Sequence, residues 1–140
     1  MPHTLPAFSA QDALVAIMVT VSVSDESITT PELVAIERQV NHLPIFADYD
    51  MDNVREVAET VYRLMEEEDG LDTLFALVRD ALPQRAWETA YALACEIAAA
   101  DGTIRQSELR LLEELRHELE IDRLHAAAIE RGARARHLTL

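Results

Sequence analysis

Residues 24–33 of this chain read Ser-Asp-Glu-Ser-Ile-Thr-Thr-Pro-Glu-Leu, and residues 100–109 read Ala-Asp-Gly-Thr-Ile-Arg-Gln-Ser-Glu-Leu. Both stretches place an acid first, an isoleucine three residues later and a glutamate seven residues after the acid, at a constant offset of 76 residues. Apolar positions on either side repeat at the same offset. An internal repeat constrains the architecture of a chain before any local pattern does. This one predicts two related halves, at about residues 10–45 and 86–121.

The composition favours a single all-helical domain over residues 1–140. Hydrophobic residues make up 49% of the chain, which has only 3 glycines and 5 prolines, a balance that favours helices over turn-rich β structure. Capping residues, apolar periodicity and helix breakers predict about seven helices with short links. They fall at about residues 10–23, 31–42, 54–68, 71–78, 84–100, 109–119 and 124–132. We expect an all-α fold in which two helix-pair repeats pack with pseudo-twofold symmetry.

The charge balance restricts the partners of the chain. There are 26 acidic and 12 basic residues, which give a net charge of −14. Such a chain repels phosphate backbones, so we expect no nucleic-acid binding, whereas divalent cations or a basic protein surface suit it. No apolar run approaches the roughly 20 residues of a membrane span, and the first residues lack the pattern of a secretory signal. We therefore expect a cytoplasmic protein.

The sequence offers little support for catalysis. It has no Ser/His/Asp order, no phosphate-cradling glycine loop and no CxxC pair, so we expect a protein that is not an enzyme. Glu114 and His117 have the spacing used in di-iron helical bundles, but such sites need two pairs, so this single pair is expected to be exposed. Cys95 is expected to be a small core residue. The aromatic residues of the helices are also predicted to lie in the core: Tyr62, Trp87 and Tyr91.

The repeated acids are the main candidates for a functional site. Residues 101–108 reproduce the second half of a calcium-binding EF-hand loop, in which the acids supply hard oxygen ligands, glycine allows a sharp turn and the last glutamate reaches back from the next helix. The first half of the loop is missing, because its first and third positions are apolar in both copies. Neither copy is therefore an independent EF-hand.

Two half-loops could still share one ion. If the halves pack about a pseudo-twofold axis, four carboxylates would face one another and could bind one divalent cation, Ca²⁺, Mg²⁺ or Mn²⁺. These metal-ligand candidates are Asp25, Glu32, Asp101 and Glu108. In the alternative interpretation the two aspartates cap or turn the chain, and the two glutamates are first-turn acids that gain from the helix dipole. The spacing leaves both interpretations open.

A second acidic stretch, residues 48–59, is a weaker ion-site candidate. It places acids at the first, third, fifth, ninth and twelfth positions of a calcium loop: Asp48, Asp50, Asp52, Glu56 and Glu59. Against this, Arg55 stands where an inward aliphatic residue belongs, and helical periodicity begins at Val54. Asp50 or Asp52 is then more simply the N-cap of the third helix.

The pattern Ala-Ala-Asp-Gly-Thr-Ile-x-x-x-Glu-x-x-x-Leu at residues 99–112 resembles the tellurite-resistance TerB family. In that family two such signatures lie in one all-helical domain, and the resemblance covers almost the whole chain. The first copy departs from the pattern, with Glu26 where glycine is usual and Val23 and Ser24 in place of alanines. Both acids of that copy are kept.

The resemblance implies an acidic, helical, cytoplasmic protein linked to tellurite resistance and general stress response. TerB-family members are proposed to bind divalent metal through these carboxylates and to work within larger membrane-associated assemblies. Similar domains also occur as an interaction module attached to a membrane-tethered J-domain co-chaperone. Two functions are therefore expected: a non-enzymatic divalent-cation-binding protein, or an acidic helical protein-interaction module in a stress-response or co-chaperone assembly without metal. Protein partners are expected in either case.

Overall fold

The regular structure of the chain is helical throughout the part described here. The computed structural model describes residues 7–23, 30–100 and 106–140. Within these ranges there are seven α-helices and two single 3₁₀ turns (Pro44–Phe46 and Gln84–Ala86), and no strand. The all-α prediction is confirmed. The helices are α1 (Ala10–Val23), α2 (Thr30–His42), α3 (Asp52–Met65), α4 (Gly70–Ala81), α5 (Trp87–Ala99), α6 (Gln106–Glu118) and α7 (Arg123–Arg136).

The helix bounds follow the offset of the sequence repeat. α2 and α6 are displaced by 76 residues at both of their ends, and α1 and α5 end at residues 23 and 99, also 76 apart. α1 is a helix to its end, although its last residues alternate like a strand. In each half of the chain, two helices that match at this offset therefore stand on either side of the acidic stretch in the sequence: α1 and α2 in the first half, α5 and α6 in the second.

The start of α1 is fixed by side chains of its first turn. The Ser9 hydroxyl oxygen accepts a hydrogen bond from the Asp12 backbone N–H at 3.0 Å, and Asp12 Oδ2 accepts one from the Ser9 N–H at 3.1 Å. This reciprocal pair is a capping box, and it confirms the predicted helix start. The Tyr49 hydroxyl donates a hydrogen bond to Asp12 Oδ1 at 2.7 Å. This bond connects the segment between α2 and α3 to the start of α1.

α1 and α5 form the centre of the domain. They pack along each other, and residues 13–22 of α1 are all buried. α2 and α6 each pack against both α1 and α5, while α3 packs against α1 and α7 against α5. α4 lies against α1 and α3. α2 and α6, which follow the two acidic stretches in the sequence, both contact this central pair. None of the helices in the described ranges is long and apolar enough to cross a membrane.

The end of α7 differs from the prediction. The helix was expected to end by Gly132, but it continues to Arg136. Contacts with the central helix account for the additional turn: Arg136 forms an ion pair with Glu96 of α5, and His137 Nε2 lies 2.8 Å from Glu96 Oε2. A glycine inside a helix costs only about 1 kcal/mol relative to alanine, so these tertiary contacts outweigh it.

One of the aromatic core predictions is wrong. Tyr62 is 42% exposed, whereas Tyr91 is 2% exposed and Trp87 packs against the core while remaining partly exposed. The reason lies in the geometry of α3, whose buried side chains recur at helical spacing. This buried stripe consists of Val57, Val61 and Leu64, and it leaves position 62 on the outer face.

Candidate functional site

The two repeated glutamates occupy equivalent places in the fold. Glu32 lies in the first turn of α2 and Glu108 in the first turn of α6. Each residue is only 1% exposed, and both rank among the largest fully buried side chains of the described chain. Because α2 and α6 both contact α1 and α5, each glutamate belongs to a helix that packs against the central pair.

Burial separates these two glutamates from the other first-turn acids. Asp52, Asp72 and Glu88 also lie in the first turns of their helices, yet all three are exposed. An acid gains from a helix dipole without leaving water, whereas taking a carboxylate out of water costs several kcal/mol unless partners compensate. Glu32 and Glu108 both have interaction partners in the fold. Dipole stabilisation alone therefore does not account for their position.

Two of the four metal-ligand candidates, Asp25 and Asp101, lie outside the described residues. Within residues 7–23, 30–100 and 106–140, no three His, Cys, Asp or Glu side chains form a group that could hold a metal ion. A cation at Glu32 and Glu108 would therefore need the two aspartates as further ligands. The donor set itself, four hard carboxylates, fits Ca²⁺, Mg²⁺ or Mn²⁺.

The acidic segment at residues 48–52 has a structural role at the start of α3. Asp50 Oδ1 accepts a hydrogen bond from the Asp52 backbone N–H at 2.9 Å, and the helix begins at Asp52. Asp48 has a φ of 65°, a left-handed conformation that aspartate tolerates better than most residues. The N-cap position itself is held by Met51, which makes no side-chain cap hydrogen bond, so the prediction that Asp50 or Asp52 is the N-cap is wrong, although Asp50 accepts a hydrogen bond at the helix start.

The single Glu-x-x-His pair lies on the surface. Glu114 and His117 are both exposed on α6, as the sequence predicted. A di-iron site would need these side chains to project into a bundle core together with a second pair. Because both side chains are exposed on α6, they do not project into a core that another ligand-bearing helix could share.

A cavity between α5, α6 and α7 was not found by reasoning from the sequence. Its volume is about 220 Å³. The Tyr91 hydroxyl donates a hydrogen bond to Glu130 Oε2 at 2.6 Å, and Cys95 lies one turn further along α5. The lining includes Tyr91, Cys95, Leu112, Arg116, Glu130 and Arg134. A comparison of the two halves could have revealed it, because polar residues at 91, 95 and 116 replace valines at 15, 19 and 40.

The surroundings of Cys95 suppress the ionisation of its thiol. The residue is 4% exposed, and burial raises the pKa of the Cys95 thiol to about 12. The hydrogen bond with Tyr91 lowers this pKa and the Glu130 carboxylate raises it, but both effects are smaller than desolvation. The prediction of a core cysteine is confirmed, and the protonated thiol is a poor nucleophile at neutral pH.

We expect Cys95 to react very slowly with a thiol reagent such as DTNB while the protein is folded. With a pKa of about 12 against an ordinary value of 9.0, its thiolate fraction at pH 8 is about a thousandfold smaller than that of an exposed cysteine. The absorbance change on DTNB addition measures this rate, with the same protein in guanidinium chloride as control. Cys95 is the single cysteine of the chain, so the signal has one source. A native rate close to the denatured rate would contradict the prediction.

Comparison with known proteins agrees with the resemblance seen in the motif. The family model described as "Tellurite resistance protein TerB" matches residues 11–131, which is most of the chain. No significant match was found among curated proteins or among solved structures. The matched region contains all seven helices apart from the first residue of α1 and the last turn of α7, and it includes both acidic stretches. The chain therefore belongs to the TerB family of tellurite-resistance proteins.

Proposed function

We propose that this TerB-family chain is a non-enzymatic protein that binds one divalent cation through Asp25, Glu32, Asp101 and Glu108. The observation that carries the proposal is the matched burial of the two glutamates, each 1% exposed at the start of an equivalent helix. We further propose that the protein acts in the cytoplasm in a stress response to tellurite, together with protein partners in a membrane-associated assembly.

Electrostatics supports a cation at this place. The chain carries a net charge of −14, so buried carboxylates in it meet a field that already favours cations. Four carboxylates brought close together would repel one another strongly, and a divalent ion bound among their oxygens would relieve that repulsion. For Asp25 and Asp101, the sequence repeat is the argument that they lie beside the two glutamates.

The packing of the helices supports one shared ion over two separate ions. α2 and α6 each contact the first helix of both halves, α1 and α5, so each of them bridges the two halves. A pseudo-twofold arrangement of this kind would bring matching acidic turns to a common place. An ion bound between them would stiffen the contact between the halves, so its effect should be visible in stability as well as in binding.

Calorimetric titration of the metal-free protein tests the proposal. We expect Mn²⁺ or Ca²⁺ to bind with a stoichiometry of about one ion per chain, and Glu32→Gln and Glu108→Gln each to weaken binding at least about tenfold, because each removes a charged ligand. Glu37→Gln on α2 and Glu114→Gln on α6 are matched controls, since both residues are exposed on the same helices. Mg²⁺ and Zn²⁺ complete the series. Absence of heat with every ion at millimolar concentration would contradict the proposal.

A second candidate function is an interaction module whose acids have only a structural role. Exposed apolar residues directly after the buried glutamates favour it: Leu33 is 45% exposed and Leu109 43% exposed. Exposed leucines at equivalent places in both halves could contact a partner protein. If partners recovered with the tagged chain persist after all four acids are substituted, but are lost in a Leu33→Ser, Leu109→Ser variant, this second function is favoured.

A further inference from the structure

The cavity between α5, α6 and α7 is lined by two basic side chains that have no partners among the described residues. Arg116 of α6 is half-buried at its edge and Arg134 of α7 is exposed there. Neither guanidinium forms a hydrogen bond or an ion pair with any residue in the described ranges. In a chain with 26 acidic and 12 basic residues, two uncompensated arginines at one cavity are unexpected. They place two guanidinium groups at a cavity that is also lined by the carboxylates of Glu113 and Glu130.

Packing alone does not require the polar lining of this cavity. At the equivalent positions of the first half, residues 15, 19 and 40, the chain has valines that are all buried. The second half has Tyr91, Cys95 and Arg116 at these places. Since valines satisfy the fold in one half, packing does not require the guanidinium of Arg116 in the other half, which is available for a ligand, whereas the Tyr91 hydroxyl holds Glu130.

The acids that line the cavity limit the kind of anion it could accept. Glu130 is held by the Tyr91 hydroxyl at 2.6 Å, and Glu113 is exposed at the edge. Two guanidinium groups and two carboxylates give the charged lining a net charge of about zero, so a single negative charge held directly by the guanidinium groups is tolerated, whereas a dianion such as a phosphate ester would be repelled. The remaining walls are apolar, with Ala99, Leu112 and Ala133 among them.

The size of the cavity limits the ligand further. About 220 Å³ corresponds to about seven groups of water size, at roughly 30 Å³ each. A carboxylate with an unbranched chain of about five carbons fills this space, and long acyl chains do not fit.

We propose that this cavity binds a small organic monocarboxylate, with its carboxylate between Arg116 and Arg134 and its apolar chain against Ala99 and Leu112. Arginine suits this role because its planar guanidinium binds a carboxylate through two parallel hydrogen bonds. The inference does not depend on cation binding at the repeated acids, which are not among the residues that line the cavity.

Titration of the ¹⁵N-labelled protein with hexanoate, followed by amide chemical shifts, tests the inference. We expect saturable shifts confined to residues near 91–99, 109–116 and 130–134, with a Kd of about 1 mM or tighter. Arg116→Gln and Arg134→Gln should each weaken binding about tenfold, because each loses a charged hydrogen-bond partner of the carboxylate. Arg116→Lys should retain part of the affinity. Arg123→Gln, at an exposed position on α7 that does not line the cavity, should bind as the unaltered protein does.

Hexan-1-ol and hexylamine separate charge recognition from simple filling of an apolar space. Both should bind at least about tenfold more weakly than hexanoate. Equal binding of hexanol, shifts scattered over the whole surface, or equal loss of affinity in Arg123→Gln and Arg116→Gln would each overturn the inference. The spectrum of each variant reports its folding directly, and should Arg116→Gln unfold, Arg134→Gln decides the outcome.

Discussion

Gly70→Ala should destabilise the protein severely, by about 3 kcal/mol or more in the free energy of unfolding. A Cβ atom placed on Gly70 would lie 1.6 Å from the carbonyl oxygen of Leu64 and 2.5 Å from its carbonyl carbon. Both atoms belong to the backbone of the last turn of α3, so no side-chain rotation relieves the overlap. The start of α4 would have to move away from α3, which opens the buried contact between these helices.

Gly132→Ala is the matched control, and it should have the opposite sign. Gly132 lies inside α7, where a Cβ would meet only the guanidinium of Arg136, at 3.2 Å. That group is paired with Glu96 but stands at the end of a flexible side chain and needs to shift by only a few tenths of an ångström, while alanine gains up to about 1 kcal/mol of helix propensity over glycine. Urea unfolding followed by circular dichroism measures both variants. Equal stabilities for the two would refute the assigned contact between α3 and α4.

Local sequence signals predicted the helices well where a cap or a breaker fixes the boundary. Ser9 begins the first helix through its capping box, and Pro83 follows the end of α4, whose next residue, Leu82, is extended as expected before proline. The end of α7 could not be predicted in this way. It depends on Glu96 of α5, a residue about 40 positions earlier that holds Arg136 and His137. No local pattern encodes that contact.

The candidate site was predictable in its residues but not in its burial. Repetition of the acid spacing identified Glu32 and Glu108, yet a glutamate in the first turn of a helix is ordinarily exposed, as Glu88 is. The packing of α2 and α6 on the central pair removes these two from water. The cavity beside α7 was missed for a related reason, since it exists only where three helices meet.

Binding of a divalent ion should raise the thermal stability of the protein and reverse the effect of the glutamate substitutions. At an ion concentration about 100 times Kd, linkage gives about 2.7 kcal/mol, which for a domain of this size raises Tm by roughly 10 °C. Glu32→Gln and Glu108→Gln should lose most of that increase. If the four carboxylates lie together as proposed, the same variants should in EDTA be as stable as the unaltered protein or more stable, because each then removes one of the charges that repel one another without the ion.

The effect of the substitutions on stability should therefore change sign between EDTA and the bound ion. This change distinguishes a metal site from a purely structural role of the two glutamates. If Glu32 and Glu108 acted only on their helix dipoles, their substitution would cost about 0.3–1 kcal/mol whether or not an ion is present, and Mn²⁺ would leave Tm unchanged. Melting curves of the unaltered protein, both variants and the exposed control Glu114→Gln, each with EDTA and with Mn²⁺, separate the cases. The control should follow the unaltered protein in both conditions. A fixed loss of stability in the two variants, with no response to the ion, would leave the glutamates a purely structural role and remove the metal site.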